Sequence, residues 1–182
     1  MARRSSSNRR QFAWYRSSGG VELQAEAGQL FGSYDMLAQV RDQYGQDVGA
    51  GSTVVAVKGY VRPRTSGGVA NPEFLAGAFA LRVCSRADTL NPLSAESPIN
   101  DVSQEVGWMW YQPWFVGFQS TDPGVGIATS SVGGSPWYVD VQSSRRIPQL
   151  GDTLGLFGGT FSEPAGTAVY FDWHLSVGVK LP

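Results

Sequence analysis

The 182 residues hold one cysteine and one histidine. That excludes an intrachain disulfide framework and a closed Cys/His zinc site, which needs four ligands. Cys84 lies in an apolar run and reads as a small core hydrophobe. Charge is also scarce, at 16% of residues against about 25% in ordinary globular domains. No run approaches the roughly 18–20 uninterrupted apolar residues of a membrane helix, so no membrane partner is expected. The charged N-terminus lacks the apolar stretch that a secretory signal carries behind it. GxSxG, P-loop, HExxH and dinucleotide-binding fingerprints are all missing. Asp and Glu are scattered singly, so no carboxylate pair of the glycosidase kind is visible. These absences argue against an enzyme and leave no cofactor or metal to expect.

What is present points elsewhere. Aromatics reach 12%, with six Trp. A sparsely charged, aromatic-rich chain suggests that part of its exterior is covered by something else. The net charge of −1 hides a split. Residues 1–16 hold five arginines (Arg3, Arg4, Arg9, Arg10 and Arg16) and no acid, while the remainder holds nine basic and 15 acidic residues. A basic arm on an acidic body implies a polyanion partner for the arm.

The length favours one domain, since domains run to roughly 100–200 residues. Residues 1–11, MARRSSSNRRQ, cannot repay their ordering entropy and read as disordered when unbound. FAWYR (12–16) offers an aromatic anchor, and SSGG (17–20) reads as a flexible joint. The division is therefore an arm and joint over 1–20 and a single sandwich over 21–182. SYDMLAQVRDQY (33–44) is the best helix candidate, with Ser33 as its cap. It precedes the first clear strand, so one strand has to come from 17–32. From residue 51 the character changes. TVVAVKGYV (53–61), FLAGAFALRVC (74–84), WYVDVQS (137–143) and LGDTLGLFGG (150–159) read as strands. Residues 85–105 read as a long excursion, 106–118 as an aromatic run broken by Pro113, and 120–136 as turns. The C-terminus is clearest: Val169, Phe171, Trp173, Leu175, Val177, Val179 and Leu181 alternate with mostly polar neighbours, which leaves no helical reading. Six to eight such strands, with no βα alternation, predict an all-β antiparallel sandwich or barrel.

Several side chains stand out. The arm arginines suit bidentate contacts to phosphates, read as backbone charge rather than base identity. In a closed shell of roughly 60 copies they would supply about 300 positive charges, enough for only a few hundred nucleotides. Further basic residues on an inner wall would then be needed, and Arg62, Arg64, Arg145 and Arg146 at strand ends are candidates for that wall or for an interface; ordinary solvated loop charge is the plainer reading. Trp108, Trp110 and Trp114 fit a sandwich core, a subunit contact or a stacking surface for sugars or bases. His174 falls on the polar face of the last strand as a surface or interface residue, within reach of Asp172 two residues away.

The layout carried by MARRSSSNRR, STVVAVKGYV, GWMWYQPW, VDVQSSRRIPQLGDTLGLF and FDWHLSVGVKLP resembles the small single jelly-roll capsid proteins of small icosahedral viruses. The resemblance implies about eight strands in two sheets, self-assembly in many copies, an arm facing packaged nucleic acid, and residence in a virion assembled inside the host cell. Another virion component (a head-decoration, connector or tail protein) and a carbohydrate-binding sandwich are the competing readings.

Overall fold

The computed structural model describes residues 13–26, 29–44, 51–66, 74–90, 108–117, 136–147, 151–161 and 168–180. Among them lie nine strands and two short helices. In chain order these are β1 (Ala13–Glu22), β2 (Gln24–Glu26), β3 (Gln29–Asp35), α1 (Ala38–Tyr44), β4 (Thr53–Ser66), β5 (Phe74–Ser85), α2 (Arg86–Leu90), β6 (Trp108–Gly117), β7 (Trp137–Arg146), β8 (Asp152–Thr160) and β9 (Ala168–Lys180). They form a four-stranded sheet, β1-β9-β4-β7, and a five-stranded sheet, β2-β3-β8-β5-β6. Every pairing is antiparallel. With the small β2–β3 hairpin counted as one position, the orders become 1-8-3-6 and 2-7-4-5, the interleaved Greek keys of a jelly roll. The chain is an all-β sandwich.

The last strand organises the core. β9 lies between β1 and β4, and its alternation is the one the sequence shows. Val169, Phe171, Trp173, Leu175, Val177 and Val179 are buried on the inward side, while His174 on the other side is exposed. Phe171 meets Phe79 of the opposite sheet at a ring separation of 5.9 Å, and Trp173 meets Tyr34 at 4.3 Å. A Cβ on Gly158 would stand 2.6 Å from Phe171, so the bare backbone there is what admits the ring. Burial, followed by the carboxylates of Asp35 and Asp42, raises the pKa of the Tyr34 hydroxyl above its usual value. It therefore stays protonated in the folded core at neutral pH.

Residues 17–20 are not a joint. They form the middle of β1, paired from Ser17↔Leu175 to Gly20↔Asp172. Their small size serves packing: a Cβ on Gly19 would lie 2.7 Å from the Trp173 ring, and the Trp173 indole Nε1 donates to Ser17 Oγ at 3.1 Å. The sandwich thus includes residues 13–20 and does not start at residue 21. Residues 1–12, including the segment expected to be disordered, lie outside the described residues.

The expected helix over 33–44 is shorter, because Phe31–Asp35 is held as a strand by β8. α1 begins at Ala38, and its cap is Asp35 rather than Ser33, with the Leu37 N–H donating to Asp35 Oδ1 at 3.0 Å. Asp35 also takes hydrogen bonds from Arg41 and from the Thr153 hydroxyl, and Arg86 Nε stands 3.4 Å from its Oδ2. One carboxylate therefore ties together β3, α1, β8 and α2.

Pro113 does not break the aromatic run. β6 is an edge strand and takes the proline opposite Ala78 without interruption. β4 likewise runs on through Arg62, Pro63 and Arg64, which the sequence suggests as flanking loop. The expected excursion over 85–105 opens with α2; residues 91–107, and the turn region before Pro136, lie outside the described residues. Cys84 is buried beside Phe31, Ala78 and Phe157 in a second apolar cluster.

Candidate interaction surfaces

The outward side of the four-stranded sheet gathers most of the chemistry. Alternation along β4 (Lys58, Tyr60, Arg62, Arg64) turns successive polar side chains outward. The cross-strand registers then stack them into rows. Arg16, Ser176, Lys58 and Asp140 form one row. Ser18, His174, Tyr60 and Tyr138 form the next. Gly20, Asp172 and Arg62 follow, and then Glu22, Tyr170 and Arg64. The Tyr60 ring is stacked with the His174 imidazole at 5.9 Å and 21°. Beside it Tyr138 is 78% exposed. A further aromatic, Trp14, is 45% exposed on β1.

The ion pairs leave this face basic. Asp172 Oδ2 lies 3.1 Å from Arg64 Nε and 3.4 Å from Arg62 Nη2, so two guanidiniums share one carboxylate. The Arg64 guanidinium also sits 4.7 Å over the Tyr170 ring. Lys58 and Asp140 are 3.6 Å apart and well exposed, a geometry worth little energetically. The expected Asp172–His174 pairing is not made: Asp172 turns to the two arginines of β4, which carry permanent charge, and His174 lies on a tyrosine.

Charge is segregated across the whole chain. The four strands of this sheet carry seven basic and three acidic residues, a net of +4. Residues 1–12 carry four arginines and no acid. All remaining segments together carry three basic and 12 acidic residues, a net of −9.

The residues singled out from sequence fall as follows. Arg3, Arg4, Arg9 and Arg10 lie outside the described residues. Arg16 is in β1, exposed on the basic face, so it is not part of a free arm. Arg62 and Arg64 lie within β4 rather than at its end, whereas Arg145 and Arg146 close β7 and are exposed. Trp114 is 2% exposed and stacked with Phe79, so it belongs to the core. Trp110 is half-buried against the same core, and the Trp108 side chain lies outside those described. Among the described side chains of β6 the exposed aromatic is instead Phe115, at 69%, paired in register with Ala76. Phe161, also exposed, donates its N–H to the Ala76 carbonyl from the other side.

Lys58, Tyr60 and Tyr138 are not apparent as site residues in the sequence. Period-two alternation along KGYVRPR is the signal that could have found the first two. Among the described residues no three His, Cys, Asp or Glu side chains come together as a metal site. No helix among them is long and apolar enough to cross a membrane.

No family model matches the chain, and no curated protein matches it. Among solved structures it is similar to the crystal structure of the 60-mer BFDV capsid protein, at 12% identity and a TM-score of 0.40, over 94% of this chain and 93% of that one. The jelly-roll assignment stands on the strand order of this chain.

Proposed function

We propose that this chain is the shell subunit of a small virion, assembling in many copies around nucleic acid. The observation that carries the reading is charge segregation on a jelly roll: four arginines in the first 12 residues, leading directly into an edge strand of a basic sheet, on a body that is otherwise strongly acidic. The first 12 residues, with Arg3, Arg4, Arg9 and Arg10, contact packaged nucleic acid through its phosphates. The acidic remainder keeps the other surfaces off the polyanion. Copies meet through apolar side chains left in the open, of which Phe115 and Phe161 on either side of Ala76 are the best placed. Closed point symmetry then repeats one set of contacts. The role is structural and not enzymatic.

Negative-stain electron microscopy of the purified protein tests the assembly step. Closed particles of uniform diameter are expected at low ionic strength. Only dispersed monomers, at every ionic strength from low to high, would contradict it.

A further inference from the structure

The outward face of the β1-β9-β4-β7 sheet has a pattern that an inner wall of plain positive charge does not need. We infer that this face is a binding track for single-stranded nucleic acid, with bases stacking on the Tyr60–His174 pair and on Tyr138, and phosphates held by Arg16, Lys58 and Arg62. The inference deepens the shell reading by naming a second contact for the same ligand.

Three observations converge on it. The aromatic row runs straight across the sheet, with His174, Tyr60 and Tyr138 on three adjacent strands. It spans about 10 Å, two intervals of the usual strand spacing of ~4.8 Å, room for more than one base. Tyr138 is 78% exposed and Tyr60 presents its ring with the imidazole already aligned to it. Flat rings held on a rigid sheet are the platform that sequence-tolerant single-strand binders use, since every base has a π-face.

The second observation is the placement of cations. Arg16 and Lys58 lie one row to one side of the aromatics and Arg62 lies one row to the other. Rows on one face of a sheet are about 7 Å apart, so phosphates flanking a stacked base come within reach of both. Asp172 neutralises at most one of the two arginines that share it, which leaves the other free to take a phosphate. The third observation is magnitude. The four strands of this sheet contribute a net +4 per subunit, as much as residues 1–12, and most of that charge lies on the outward rows.

A neutral sugar polymer would use the rings but not the cations. An acidic protein would use the cations but not a bare row of rings. A base-bearing polyanion uses both.

The test measures binding of the full-length protein to a fluorescent 20-residue oligothymidylate by anisotropy over a salt series. Dextran sulfate, a polyanion without bases, serves as the second probe. Tyr138→Ala and Tyr60→Ala are each expected to weaken oligothymidylate binding about tenfold, leaving the salt slope and dextran sulfate binding unchanged. Arg62→Gln and Lys58→Gln are each expected to lower the slope of log K against log salt by about 0.7. Tyr138 is so exposed that its loss leaves the fold intact. Parental affinity and slope in all four variants would overturn the inference. So would equal loss of both probes in the tyrosine variants, which would mean that the face senses charge alone. The shell reading fails separately: it falls if the parent protein forms no particles, whatever the variants bind.

Discussion

Deletion of residues 1–12 is expected to leave a folded sandwich that still assembles but retains much less nucleic acid. The deletion removes four arginines per subunit and none of the described β1–β9 ladder, whose register runs from Ala13↔Val179. The midpoint of thermal unfolding should therefore move by no more than a few degrees. For single strands each phosphate contact contributes about 0.7 to the salt slope, so four lost contacts should lower it by about 3. Over a shell of roughly 60 copies, about 240 positive charges disappear. The ratio of absorbance at 260 and 280 nm in the particle fraction should fall accordingly, while the contribution of the sheet face persists. An unchanged salt slope would show that the first 12 residues do not touch the polyanion.

Asp35→Ala is expected to be the most damaging single substitution outside the apolar core. The side chain is 11% exposed and serves four groups: the Leu37 N–H, the Thr153 hydroxyl, Arg41 and Arg86. Arg41 is itself largely buried, so removing Asp35 leaves a guanidinium with no counter-charge in a partly dry site. Breaking a buried pair from one side costs about 3–5 kcal/mol. The half-exposed Arg86 contributes little to that figure, so a loss of about 3 kcal/mol is the expectation. Urea unfolding should show it as a lower midpoint at constant slope. Asp35→Asn should recover part of the loss, since an amide oxygen can still cap α1 and accept from Thr153. A change below about 0.5 kcal/mol in the alanine variant, the range of an ordinary surface substitution, would refute the clamp.

How far the sequence reveals this molecule depends on whether a signal runs along the chain or across it. β9 is legible because its large apolar residues recur with period two over 11 residues, Val169 to Val179, and no other periodicity fits. The runs at 53–61, 74–84, 137–143 and 150–159 are legible as β-branched or apolar stretches between turn residues, with alternation clear only in 137–143, and together they yield the fold class. The SSGG segment misleads because glycine and serine signal a joint locally. Their actual role is to make room for Trp173, which lies 154 positions beyond Gly19. Tyr34 misleads similarly: its spacing to Leu37 suits a helix, but the β8 register places it in a strand. Tryptophan content leaves Trp114 open between core and surface, while among the described side chains of that strand the exposed aromatic is its neighbour Phe115. Side-chain parity along an edge strand decides this, and a proline in the strand obscures it.

The basic face is the least legible feature. Arg62 and Arg64 can be picked out as charged residues, but the row of His174, Tyr60 and Tyr138 exists only once three strands are in register. Its members lie 78 and 114 positions apart along the chain, from Tyr60 to Tyr138 and to His174. The charge split is visible from composition as an arm against a body. That six of the nine basic residues beyond Arg16 share one sheet with the arm's point of attachment is visible only in the fold.

The central claim, a shell that packages nucleic acid, is tested most directly by light-scattering mass on a sizing column with absorbance read at 260 and 280 nm. The account predicts a megadalton peak, about 1.2 MDa for roughly 60 copies of the 19.6 kDa chain before any nucleic acid is added. That peak should carry excess absorbance at 260 nm. A species near the monomer mass of 19.6 kDa with a protein-like absorbance ratio would contradict it.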